Sequence, residues 1–172
     1  PFRGGGALMT DWAARDTAAA ADAAQRLGVP LQWVLAVIGA ESSYGAPEAT
    51  WEPSAGEYSY GPMQILGSTA RDRGFSGNFN ELLTPETGIY YGTAQLAWLI
   101  GRYGLDFPAV ISAYNRGHAD PVGGAGYIAR VSAWLQELPQ NAAAAVEENQ
   151  GSLALIAAGI VWLLKRESRD PL

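Results

Sequence analysis

Leu31, Val34, Leu35 and Ile38 recur at the spacing of one helical face, and Glu41 follows three residues after Ile38 on that same face. The stretch Pro30 to Ser42 reads as a core helix, with Pro30 suited to its first turn and Gly45 just past its end. A carboxylate on such a stripe is partly desolvated, and it lies in the last turn, where the backbone dipole is negative. Both effects disfavour the ionised form and raise its pKa. A carboxyl group still protonated near neutral pH suits general acid catalysis, so Glu41 is the candidate proton donor.

The rest of the chain supports a folded enzyme of modest size. Its 172 residues suffice for one compact domain with a real core and a small appendage. Hydrophobic residues make up 48% and charged residues 16%, which is globular rather than disordered. The net charge is −6, and the arginines are dispersed, so no nucleic-acid surface is expected. A neutral sugar chain remains a fitting partner, since it is held by hydrogen bonds and stacking. Without cysteine, disulfides, thiol catalysis and cysteine metal sites are excluded. The single histidine, His118, lies in a Gly/Asp/Pro-rich loop and reads as exposed. No metal or organic cofactor is implied. The chain opens on Pro1, from which a processed or excised chain is expected, and no signal peptide is legible.

Residues 1–9 read as a flexible Gly-rich lead-in, and Asp11 to Leu27 as an Ala-rich helix stopped by Gly28. After the Glu41 helix, Ser43 to Gly61 reads as a long irregular loop, a length that more often serves function. Its Trp51, Tyr58 and Tyr60 either stack on sugar faces or cover the core. Pro62 to about Arg71 is expected to be helical. Thr84-Pro85-Glu86 starts a helix ending at Gly104, Asp106 caps the next one to about Asn115, and Tyr127 to Leu138 forms another. Few segments alternate like strands, so the fold class is mainly α. The domain is placed at 10–139, followed by a linker at 140–150 and an apolar helix with a basic tail at 151–172.

Four stretches then line up: Glu41-Ser42, Gly61-Pro62-Met63-Gln64-Ile65, Ala113-Tyr114-Asn115, and Tyr127 with Val131 four residues on. In this order and spacing they resemble the soluble-type lytic transglycosylases, glycoside hydrolase family twenty-three, which also holds the goose-type lysozymes. The resemblance covers about residues 10–138. It implies a lysozyme-like helical domain with a groove for peptidoglycan glycan, and cleavage of the β-1,4 bond between N-acetylmuramic acid and N-acetylglucosamine. Glu41 matches the catalytic acid. Gln64 and Asn115 match positions that contact N-acetyl groups, and amides can both donate and accept there. Tyr127 matches a tyrosine whose hydroxyl approaches the catalytic carboxyl. Ser42, Tyr60, Met63 and Tyr114 complete the expected substrate-binding set.

The chain departs from the pattern at Pro62, where leucine is usual, at Gly88 for an asparagine, and at Gln95 for a tyrosine. The loop before Gly61 also carries Glu48, Glu52 and Glu57. A second carboxylate could position a water, so Glu52 and Glu57 carry an alternative reading as a hydrolytic muramidase of the goose-lysozyme kind. A third reading is a non-catalytic glycan-binding or structural module of a phage tail or secretion assembly.

Leu153 to Leu164 is apolar on every face and is followed by Lys165-Arg166. At about 1.5 Å per residue it spans roughly 20 Å, against a hydrocarbon core of about 30 Å. It is expected to seek a membrane, to pack on the domain or a virion or tail partner, or to belong to a larger hydrophobic region. Insertion would leave the C-terminus cytoplasmic and the domain facing the cell wall. The resemblance extends to wall-degrading parts of phage virions, towards which the reading leans, and equally to bacterial wall-remodelling enzymes.

Overall fold

In the computed structural model, residues 5–45 and 48–138 are described, with side chains from 14 onward. They form six α-helices and one small antiparallel sheet. The stretches 140–150 and 151–172, including the apolar run 153–164, lie outside the described residues. Among the described residues no helix is long and apolar enough to cross a membrane.

Helix α2 (Leu31–Ser42) is the central rod. Leu31, Val34, Leu35 and Ile38 are fully buried as their spacing requires, and so are Ala36 and Val37 on the other faces. Around it pack α1 (Gly5–Leu27), α4 (Pro85–Tyr103), α5 (Phe107–Arg116) and α6 (Ala125–Gln136). Burying a leucine such as Leu35 this completely makes truncation to alanine cost about 2–5 kcal/mol. The close approach of α6 to α2 depends on Gly39, because a side-chain carbon there would overlap the Trp134 ring.

Local sequence sets most of these boundaries. The Thr84 hydroxyl accepts from Thr87 N with Pro85 in the first turn of α4, and Gly104 ends that helix. The Asp106 carboxyl accepts from Ala109 N at the start of α5, and Gly117 closes it in the left-handed region at φ 78°. Helix α1 begins at Gly5 rather than Asp11, inside the stretch read as a lead-in.

Two expectations are corrected between Ser43 and Asp72. The long loop is a hairpin, β1 (Ala49–Glu52) paired with β2 (Glu57–Tyr60), to which β3 (Ile65–Leu66) adds a third strand. The expected helix from Pro62 to Arg71 is mostly absent: residues 61–64 turn, β3 follows, and only Gly67–Asp72 is helical, as α3. Gly61 at φ 73° and Gln64 at φ 45° hold that turn. Left-handed backbone at Gln64 is uncommon for a residue with a side chain, and tertiary hydrogen bonds described below sustain it. A second, smaller apolar cluster of Ile65, Ala70, Phe75 and Leu82 lies against this sheet, with Tyr60 and Phe79 packed on it.

Candidate active site

A cavity of about 570 Å³ opens where the hairpin meets the helices. Glu41 reaches it from the end of α2, Glu52 and Ser59 from the hairpin, Gln64 from the turn, Gln95 from α4, and Tyr114 and Asn115 from α5. The size suits a small polar ligand or a few units of a longer one.

Glu41 sits in the last turn of α2 and is neither fully buried nor exposed. Burial is the largest influence on its carboxyl and pushes its pKa up. A hydrogen bond from Tyr127 and the charge of Arg130 act in the opposite direction, and the charge of Glu52 pushes it up further. The Tyr127 hydroxyl donates to Glu41 Oε1 at 2.5 Å, and the Arg130 guanidinium lies 5.0 Å over the Tyr127 ring. Burial also holds the Tyr127 phenol well above its ordinary range, with the Glu41 charge adding to it, so Tyr127 is a fixed donor at neutral pH. The group is therefore a carboxyl that retains its proton to higher pH than usual, oriented by a phenol that does not ionise.

Gln64 reaches the cavity but is heavily engaged. Its Nε2 donates to Glu48 O at 3.0 Å and to Gly61 O at 2.8 Å, and its Oε1 accepts from Ser59 Oγ at 2.8 Å. Both amide hydrogens are consumed, so Gln64 can offer a ligand at most one acceptor lone pair. In this arrangement Gln64 holds the turn against β2, and what it presents to an acetamido group is an acceptor.

Tyr114 lines the cavity while its hydroxyl donates to Met63 O at 2.9 Å, tying α5 to the turn. Asn115, at the end of α5, is exposed and lines the cavity. Five other expected residues are not part of the cavity wall. Met63 is fully buried under Gly92 of α4, where any side chain would collide with it, and its sulfur accepts from Thr93 Oγ1 at 3.8 Å. Tyr60 stacks on Phe79 at 5.3 Å, within the smaller apolar cluster. Ser42 Oγ donates to Ile38 O at 3.0 Å within its own helix. Trp51 and Tyr58 pair edge-on across the hairpin, and strand alternation places them with Tyr60 on the face opposite Ser59.

The two candidate second carboxylates separate. Glu52 lines the cavity and accepts from Ser59 Oγ at 3.0 Å. Glu57 is turned to α3, where it accepts from Ser68 N at 2.8 Å and Ser68 Oγ at 2.5 Å. It satisfies the start of a helix that has no side-chain cap of its own, and it is not part of the cavity wall.

The sequence reading passed over Ser59 and gave Gln95 no role. Ser59 is almost fully buried, and its one hydrogen faces acceptors on both Glu52 and Gln64. No local pattern marks it, because its partners come together only when the hairpin folds onto the turn.

No curated protein matches the chain. The family model described as the transglycosylase SLT domain matches residues 18–122, from within α1 to beyond α5. That span holds Glu41, the Gly61–Ile65 turn and Asn115, and stops short of Tyr127. The helical architecture around the cavity is the lysozyme-like fold of these proteins. With more than half its length matched, the chain belongs to the transglycosylase SLT family, whose members are lytic transglycosylases acting on peptidoglycan.

Proposed function

We propose that the protein cleaves the β-1,4 bond between N-acetylmuramic acid and N-acetylglucosamine as a lytic transglycosylase, with Glu41 as its acid and base. Glu41 gives its proton to the glycosidic oxygen as the bond to the muramic acid C1 breaks. The 6-hydroxyl of the same sugar then attacks C1 and returns its proton to Glu41. The product is a 1,6-anhydro sugar, no water is consumed, and a single carboxyl serves both steps. The observation that carries the reading is a cavity-facing carboxyl whose pKa burial raises and whose orientation Tyr127 fixes.

Glu52 on the wall of the same cavity favours one alternative, in which it positions a water and the enzyme hydrolyses the bond. Mass spectrometry of muropeptides released from purified peptidoglycan, with the wild type beside Glu41→Gln, separates the readings. Anhydro-muropeptides from the wild type alone are the expected result. Reducing-end products would establish the hydrolase instead, and no product from either protein would leave a glycan-binding module.

The wall is the place of action that family membership implies. Attachment to a membrane, or to a virion or tail partner, through 153–164 is a separate proposal resting on that segment's apolarity. Liposome flotation of the chain beside one ended at Gln150 tests it, and equal behaviour of the two would overturn it.

A further inference from the structure

Four side chains among the described residues bury a polar atom that has no hydrogen-bond partner: Asp16, Gln32, Arg73 and Gln95. Of these, Gln95 alone lines the cavity. Its Oε1 is shut off from solvent without a donor, and its amide nitrogen makes no hydrogen bond to the described residues. An amide oxygen in that state costs free energy until a donor arrives. Because Gln95 lines the cavity, a turn of its side chain toward it would bring Oε1 within reach of a donor there.

The neighbouring amides are placed differently. Gln64 has spent both amide hydrogens on the carbonyls of Glu48 and Gly61. Asn115 is exposed at the far end of α5. Gln95 projects from the middle of α4, a long helix packed on the core, so its backbone is held at a fixed place in the wall. A primary amide with both ends free pairs best with a secondary amide: Oε1 accepts its N–H, and Nε2 donates to its carbonyl.

We infer that Gln95 is a specificity-determining residue that receives an acetamido substituent of the glycan in this cavity. The inference rests on the peptidoglycan-cleaving reading for its substrate, and on the orphaned amide for its residue. A buried acceptor discriminates strongly, since a ligand without the N–H leaves it unpaired.

The test compares the binding of chitotetraose and its fully N-deacetylated counterpart to the full chain by calorimetry, for the wild type and for Gln95→Met. Methionine keeps the length and the helix propensity while removing both hydrogen-bonding atoms. The amine charge of the deacetylated sugar acts alike on both proteins, so the ratio of affinities isolates the acetamido contribution. A wild-type preference for the acetylated sugar that falls by about tenfold in Gln95→Met is expected. An equal loss on both sugars would make Gln95 a packing residue, and an unchanged ratio or no wild-type preference would overturn the inference. Should the variant fold poorly, the Gln95 side-chain amide resonance of the wild type reads the same contact. It is expected to shift with the acetylated sugar only, and its insensitivity would overturn the inference. Binding is read without turnover, so a wild type that binds with this preference yet releases no muropeptide would defeat the catalytic proposal while retaining the Gln95 assignment.

Discussion

The Tyr127 hydroxyl donates to Glu41 Oε1 across 2.5 Å, joining residues 86 positions apart in the chain. The bond fastens α6 to the last turn of α2, and it stabilises the charged form of Glu41 against the burial that raises its pKa. Removing the hydroxyl in Tyr127→Phe therefore raises the Glu41 pKa further. An acid catalyst loses activity as pH rises through its pKa, so the alkaline limb of the pH–rate profile is expected to move to higher pH. The rate at the optimum is expected to fall with it, because the carboxyl loses its fixed orientation. Folding stability should drop by about 1 kcal/mol. Turbidity clearing of peptidoglycan across pH, with a urea melt, measures both; an unmoved alkaline limb would separate Tyr127 from the acid.

Glu52→Gln should move the same limb the other way. The Glu52 charge pushes the Glu41 pKa up, so its removal lets Glu41 ionise at lower pH. Anhydro products are expected to persist in this variant. Glu57→Gln is expected to leave products and profile alone, and to cost about 1 kcal/mol as a helix start loses its carboxylate. Muropeptide analysis of the two variants, with melts, decides whether the carboxylates differ as their surroundings do.

Gln64 offers a comparison of two opposed terms. Its left-handed backbone costs about 1–2 kcal/mol for a residue with a side chain, which Gln64→Gly would recover. Its three side-chain hydrogen bonds, each worth about 1 kcal/mol net and more when a buried partner is stranded, would be lost. Both Gln64→Gly and Gln64→Leu are expected to destabilise, the leucine variant more, because it loses the bonds and keeps the strain. Equilibrium denaturation checks the order, and faster amide exchange at Tyr58 to Tyr60 should accompany it.

Asp16 is fully buried on α1, and neither carboxyl oxygen has a hydrogen-bond partner. Burial pushes its pKa from 3.8 up to about 6, with Arg15 opposing the shift and Glu86 adding to it. Since the folded state holds this proton more tightly than the unfolded chain, the contribution of Asp16 is most favourable below about pH 4. It is lost as pH rises through about 6. Relative to Asp16→Asn, the wild type is expected to lose about 2 kcal/mol between those limits. Urea denaturation of both proteins from pH 4 to about pH 8 tests it; parallel curves would remove Asp16 from the pH dependence.

Short-range signals in the sequence sufficed for the bounds of α2, α4 and α5 and for the burial of Glu41. Thr84-Pro85, Asp106, Gly104 and Gly117 act on backbone groups within one turn, so each boundary is local chemistry. Glu41 was legible for a related reason: helical periodicity carries burial, and burial raises a carboxyl pKa. The hairpin, the Gly61–Gln64 turn and the cavity wall were decided by tertiary structure. The turn that reads as a helix is held open by Glu48, sixteen residues upstream, and by Ser59 on β2. Met63 and Glu57 read as site residues, yet packing against Gly92 and capping at Ser68 claim them. Gln95 carries no local mark, because an unpaired amide exists only once the elements around it have supplied every neighbour except a partner.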